Sequence, residues 1–271
     1  MQNKGGNSSF VKRHIVAAAV LPLFIAYIYY LPPLPYFLAL LTLAAMYAMW
    51  EFYVMYKVPA GLYVPGVLIG GALFFISCLY PEYYVDGIFA GLFILLTLRL
   101  FLASTPAGCM SEIGPVGVGF FYIAGFLKFQ WLLRSGDLGL QYIFLLFLSG
   151  WLSDSMAYYI GTYLGRHKLY PAISPNKTWE GALGSVIGGA LGAVIAITVF
   201  DIPTLSIKGA IAAGSVLGIA ALTGDLIESM FKRDAGVKDS SRLLPSHGGI
   251  LDKLDGLLIA GPVLYLIVRH F

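Results

Sequence analysis

Charge is what this sequence has least of. Only 11% of its 271 residues are Asp, Glu, Lys or Arg, against roughly 25% in a soluble domain. That excludes an ordinary water-soluble globule. Cysteine is also scarce. Cys78 and Cys109 make no metal-binding pattern, and the topology below puts them on opposite sides of a membrane, so no disulfide is expected between them. The net charge of +3 is too small to argue for nucleic acid, and no nucleic-acid partner is expected. The sequence also lacks internal repeats, low-complexity tracts and any linker that would divide it, so residues 1–271 read as one transmembrane domain. What it has instead is 59% hydrophobic residues and 32 glycines. Small residues let membrane helices approach closely.

Apolar runs of about 17–25 residues are long enough to cross a bilayer. Nine are expected, at 15–31, 35–56, 62–80, 86–103, 114–133, 140–163, 180–200, 208–230 and 250–270. The reading is an all-α, polytopic integral membrane protein. Lys4, Lys12 and Arg13 precede the first run. No small-residue cleavage site follows it, so it is expected to stay as an uncleaved span. Lys and Arg accumulate in cytoplasmic loops. With the N-terminus cytoplasmic, thirteen of them fall on that side and four on the other. Both long polar loops, Gly165–Trp179 and Phe231–Gly249, then face the cytoplasm from a cell inner (plasma) membrane.

The little charge there is gathers in one place. Of 17 basic and 14 acidic residues, five and six respectively lie between Gly224 and Gly256. Asp225, Glu228, Ser229 and Lys232 share one face of a helix by their spacing. Asp252 and Asp255 open the last span on a common face. Clustered carboxylates repel unless a cation sits among them, and Mg²⁺ bridges a few carboxylates to substrate phosphates. Lys232, Arg233 and Lys238 lie between the two pairs. Gly248 and Gly249 allow close backbone approach to an anionic ligand. The set suggests a polyphosphate site. Basic residues beside a membrane are also ordinary topology signals, and an Asp opening a helix is also a plain cap. Caps do not account for Asp225 and Glu228 inside an apolar span.

Asp154 lies within the sixth span, where a carboxylate is a functional candidate or a helix–helix hydrogen bond. Gly161 and Gly165 read as a packing pair. The loop after them carries Ser174, Asn176, Lys177 and Thr178, which offer donors, and Glu180; Pro175 breaks any helix there, and Glu180 either binds a cation or caps the next span. His247 reads equally as a base, a phosphate donor or a turn residue. Glu51 and Glu112 stand alone and read as structural.

The run from Ser229 to Asp255 resembles the signature of the phosphatidate cytidylyltransferase (CDP-diacylglycerol synthase) family. The family pattern is S-x-x-K-R-x4-K-D, then P-x-H-G-G, then D-R-x-D. Ser229, Lys232, Arg233, Lys238, Asp239, Pro245, His247, Gly248, Gly249, Asp252 and Asp255 match it, while Lys253 stands where the family has Arg. Asp154, Ala157, Tyr158, Gly161, Gly165, Ser174, Pro175, Lys177, Glu180 and Gly181 are similar to the family as well, so the specific likeness covers about 150–256.

The resemblance implies transfer of CMP from CTP to phosphatidic acid, giving CDP-diacylglycerol and pyrophosphate. It also implies one or two Mg²⁺ ions, contact with membrane lipids and a homodimer. On that basis Asp225, Lys232, Arg233, Lys238, Asp239, His247, Asp252 and Asp255 are expected to be catalytic. Asp154, Ser174, Asn176, Lys177, Glu180, Ser229, Gly248, Gly249 and Lys253 are expected to bind substrate, and Asp225, Glu228, Asp252 and Asp255 to hold metal. A related lipid-phosphate cytidylyltransferase, a polyprenol or lipid kinase, and more remotely an ion-coupled transporter are the competing readings.

Overall fold

A computed structural model describes residues 21–241 and 248–270. Among the described residues there are nine helices, one on each expected span. They are α1 (Leu21–Tyr30, the described part of the first run), α2 (Pro33–Met55), α3 (Ala60–Leu79), α4 (Pro81–Leu102), α5 (Cys109–Arg134), α6 (Gly139–Leu164), α7 (Trp179–Phe200), α8 (Ile207–Asp234) and α9 (Leu251–His270). The seven from α2 to α8 are long and apolar enough to cross a membrane. The protein is an all-α polytopic membrane protein. Its centre is α5, with 67% of its most apolar window buried in the protein, while α4 has only 22% buried and is peripheral. Phe89, Phe93, Leu100 and Phe101 on α4 are exposed.

Of the helices that run past the expected limits, two show a local reason. α8 continues four residues beyond the hydrophobic run, to Asp234, and stops at Gly236, whose φ is +74°. Gly236 N–H donates to the Arg233 carbonyl and Val237 N–H to the Lys232 carbonyl. That pair of bonds is the Schellman closure that a glycine after a helix permits. α5 begins at Cys109, five residues early, after Gly108 at φ +78°. Glu112 in its first turn pairs with Arg99 of α4 at 2.5 Å, and Arg99 also donates to the carbonyls of Thr105 and Ala107. Glu112 is thus structural, as its isolation suggests.

The loop between α6 and α7 holds a feature that hydropathy does not reveal. β1 (Lys168–Tyr170) and β2 (Ser174–Thr178) form an antiparallel pair, with Lys168 opposite Thr178 and Tyr170 opposite Ser174. Pro175 excludes helix here, and proline is tolerated in an edge strand. Thr178 then caps α7, its Oγ1 accepting from Gly181 N–H at 3.1 Å.

The tightest helix contacts have no side chain between them. Gly184, Gly188 and Gly192 of α7 face the α6 backbone at Met156, Leu152 and Leu148. On another face of α7, Gly189 meets Gly214 and Gly218 of α8. Farther along α8, Gly224 rests on the α9 backbone at Asp255 and Gly256. Glycines four apart are a recurrent means of bringing membrane helices into van der Waals contact.

A Cβ at Gly188 would collide with the Leu152 carbonyl, a backbone atom that no rotamer change can move aside. Gly188→Ala is expected to destabilise the protein by about 1–3 kcal/mol or more, as overpacking does. Gly114→Ala, where a Cβ meets open space, is expected to leave stability unchanged or improved. Thermal unfolding of both variants in detergent checks the pair.

Candidate active site

Five segments converge on the site: the latter part of α6, the β1–β2 hairpin, the start of α7, the end of α8 and the start of α9. A cavity of about 440 Å³ lies among the first four, within the range of small-molecule sites. Asp154 and Tyr158 line it from α6, Asn176 and Lys177 from the hairpin, Thr178 and Gly181 from the start of α7, and Asp225 from α8. Gly161 and Gly181 form part of its wall because their α carbons nearly touch, so α6 and α7 stay joined at its edge.

Asp225 is the acidic centre of this cavity. Its Oδ2 is 2.5 Å from Lys177 Nζ, and its Oδ1 accepts from Ser229 Oγ at 3.3 Å. Asp225 and Asp154 both lie within electrostatic reach of Asp255, which stands on α9 where Gly224 brings the two helices together. Asp154 also feels Lys177 and Lys253. Three carboxylates therefore share one region, and Lys177 is the one lysine in direct contact with any of them among the described residues.

Beside it lies a second acidic group, arranged differently. Lys232 is buried between Glu228 of its own helix and Asp252 of α9, with Nζ 2.7 Å from Asp252 Oδ1. The other Asp252 oxygen, Oδ2, accepts from Gly249 N–H at 2.7 Å, Ser240 Oγ at 2.8 Å and Ser240 N–H at 3.1 Å. Both Asp252 oxygens are thus engaged. Gly248, at φ +79°, approaches Asp252 so closely that a Cβ would strike its carboxylate.

The remaining candidates divide by place. Asn176 and Lys177 reach the cavity; Ser174 pairs with Tyr170 in the hairpin. Glu180 turns back toward the hairpin instead, accepting from the Arg166 and His167 N–H groups and contacting His167 Nδ1 at 2.7 Å. Its position fits closing the hairpin rather than touching a substrate. Arg233 joins the hairpin to the end of α8, donating to the carbonyls of Ile173 and Val237. Lys238, Asp239 and Lys253 are exposed. His247 and Pro245 lie outside the described residues.

The four residues expected to hold metal fall into both groups, Asp225 and Asp255 in the first, Glu228 and Asp252 in the second. Among the described residues no three His, Cys, Asp or Glu side chains stand close enough to form a ready-made metal cage. One contributor was not singled out from the sequence, Ser240. Thr178 carries a legible signal, a threonine immediately before an apolar helical run. Ser240 carries none, because its partners are distant in sequence.

A model of the cytidylyltransferase family matches residues 11–271. Among curated proteins the chain is similar to the phosphatidate cytidylyltransferases of Staphylococcus haemolyticus (41% identical), Staphylococcus saprophyticus (39%) and Staphylococcus aureus strain COL (37%). Each match runs over 162 residues, 60% of this chain and 58% of the relative. The chain thus matches a little over half the length of these curated relatives.

Lys232 holds two acidic side chains of which Glu228 is 1% exposed and Asp252 12%. Removing one partner of a buried ion pair strands the other, at about 3–5 kcal/mol. Lys232→Met is expected to destabilise by that order, and adding Glu228→Gln to recover part of the loss. Thermal unfolding of the single and double variants, read as a cycle, checks it.

Proposed function

From the premise that the chain belongs to the cytidylyltransferase family, we propose that it transfers CMP from CTP to phosphatidic acid, giving CDP-diacylglycerol and pyrophosphate. The observation that carries the reading is the cavity in which Asp225, Lys177, Asn176 and Asp154 meet. It supplies cationic and amide donors for phosphate oxygens beside surplus carboxylates. A lipid carrying a phosphate needs such a site at membrane depth. Asp154 and Asp225 lie about ten residues from the ends of their helices, roughly 15 Å at 1.5 Å per residue.

In the proposed reaction a phosphate oxygen of phosphatidic acid attacks the α-phosphorus of CTP. The new P–O bond forms as the bond from the α-phosphorus to the bridging oxygen breaks, and the electron pair leaves with pyrophosphate. The attacking phosphate is already an anion, so no Ser or Cys intermediate is required. Such transfers depend on positioning and on neutralising charge. Lys177 and Asn176 would hold a phosphate in the cavity, with Arg233 and Lys238 at the rim toward the leaving group. Ser229 orients Asp225.

The donor chemistry fits a magnesium ion. Asp154, Asp225 and Asp255 are hard oxygen donors with surplus negative charge. Magnesium usually takes one or two carboxylates and completes its shell with water and substrate phosphates, which suits a site without a closed cage. Asp225 and Asp255 would hold it, and when bound it supplies charge neutralisation to the phosphate oxygens. Asp252 and Glu228, engaged with Lys232, would fix the floor beneath them. The reading places the site on the cytoplasmic face of a cell inner membrane, on the thirteen-to-four distribution of Lys and Arg. It includes a homodimer, to which no site residue is assigned.

The test uses detergent-purified protein, phosphatidic acid, α-labelled CTP and Mg²⁺. Labelled lipid is expected, and EDTA is expected to abolish it. Loss of an outer-shell partner of a metal costs about 10–100-fold. Asp225→Asn and Asp255→Asn, which remove direct ligands, are therefore expected to lose about 100-fold or more. No labelled lipid from folded wild type, across several lipid phosphates and both CTP and dCTP, would overturn the reading. Label confined to another lipid phosphate would move it to a related cytidylyltransferase.

A further inference from the structure

Glu51 stands far from the signature in sequence and against it in space. It lies near the end of α2 and is fully buried. Its Oε2 accepts from Leu251 N–H at 2.7 Å and its Oε1 from Ile250 N–H at 3.1 Å. Ser241 Oγ donates to Oε1 at 2.5 Å, and Ser240 Oγ, whose one proton goes to the nearer Asp252 Oδ2, lies 3.3 Å from Oε2. These partners are 189 to 200 residues away along the chain. No lysine or arginine is paired with it among the described residues; neutral donors solvate its charge.

The two backbone donors are the first free N–H groups of α9, which a helix cannot satisfy internally. A carboxylate there answers them and the positive end of the helix dipole together. The two serines lie on the far side of 242–247, so one side chain grips both flanks of that segment. Packing is equally tight: a Cβ on Gly249 would collide with Glu51 Oε1 and Ser240 Oγ. Four residues into α9 from this anchor comes Asp255, and one residue in comes Asp252, which holds Lys232.

We infer that Glu51 is a positioning residue for the transfer: it sets where α9 begins, and through that the placement of Asp255 against Asp225 and of Asp252 against Lys232. It touches neither substrate nor metal. The inference rests on the proposed reaction for its kinetic consequence, but the anchoring stands on geometry alone. A neutral amide at this position would direct one of its own N–H groups at backbone donors, so Gln is not an adequate replacement. Because the anchor acts on the α9 carboxylates, its loss falls on nucleotide and metal more than on the lipid.

The experiment compares wild type, Glu51→Gln and Glu112→Gln in detergent. The last breaks another partly buried carboxylate contact, one remote from the signature. Hydrogen–deuterium exchange reads residues 240–251, and steady-state assays read the KM for CTP, the KM for phosphatidic acid and the Mg²⁺ requirement. For Glu51→Gln, exchange is expected to quicken at 250–251. The Mg²⁺ requirement and the KM for CTP are expected to rise about 10–100-fold, as for outer-shell partners of metal sites, with the KM for phosphatidic acid within about twofold. Glu112→Gln is expected to change neither. If Glu51→Gln fails to fold, Ser241→Ala removes one donor and is expected to give the same pattern more weakly. Wild-type exchange at 250–251 in Glu51→Gln would overturn the anchor. Reduced turnover with every KM and the Mg²⁺ requirement unchanged would overturn the positioning role. Should wild type itself make no labelled lipid, the transfer reading fails and the exchange result alone decides the anchor.

Discussion

The site depends on a seam where helices meet with little more than backbone between them. Where α6, α7 and α8 meet, backbone lies on backbone through Gly184, Gly188, Gly189, Gly192, Gly214 and Gly218. In lipid there is no hydrophobic drive to press helices together, so contact must come from van der Waals fit. That fit is closest where both surfaces are bare backbone. The seam fixes the separation of α6 and α8, and so of Asp154 and Asp225. It also fixes where the hairpin must turn, since β1 and β2 span the gap from the end of α6 to the start of α7. Gly161 and Gly181 mark the place where seam becomes cavity wall.

On that frame the charges sort themselves by what each helix brings. α8 presents Asp225 and Glu228 on one face and α9 presents Asp252 and Asp255. Lys232, one turn beyond Glu228, reaches Asp252 and Glu228. That engages the outer members of the two pairs. The inner members meet other partners: Asp225 pairs with Lys177 and accepts from Ser229, and Asp255 accepts from Gly256 N–H. One lysine thus divides four similar carboxylates into a pair that it fastens together and a pair that it does not contact. The two fastened carboxylates are satisfied unequally: Asp252 has four donors, whereas Glu228 has only its ion pair with Lys232 among the described residues.

The spans could be read from the sequence because hydropathy length and helix length are set by the same bilayer. The end of α8 was legible in principle too, from the Ala-Gly-Val that closes it. The hairpin was not: its strands are three and five residues long, and a proline in one of them signals only the absence of helix. The role of Asp252 was not legible either. Spacing puts it on the same face as Asp255, and nothing local tells that Lys232 will claim one and not the other. Glu180 shows the same limit, since its partners lie in the hairpin that the sequence reading did not foresee. Glu51 was read as structural because it stood alone, yet what it holds in place is the segment bearing the signature. Its partners are nearly 200 residues distant, and no window along the chain brings them together.

The first half of the chain therefore does more than span the bilayer. The end of α2 and Tyr56, which follows it, reach the signature region. Glu51 holds the start of α9, and Tyr56 Oη donates to Asp234 Oδ2 at 2.9 Å at the end of α8. Between them Phe52 packs edge-on against Phe231. The end of one helix thus touches both arms that carry the carboxylates. α8 and α9 are joined to each other directly by the bare contact at Gly224 and by Lys232. Glu51 and Tyr56 add contacts from the end of a third helix to both arms, one on each. On the proposed reaction, in which rate depends on placing two phosphates and a metal together, holding the two arms in register is the contribution a non-catalytic helix can make.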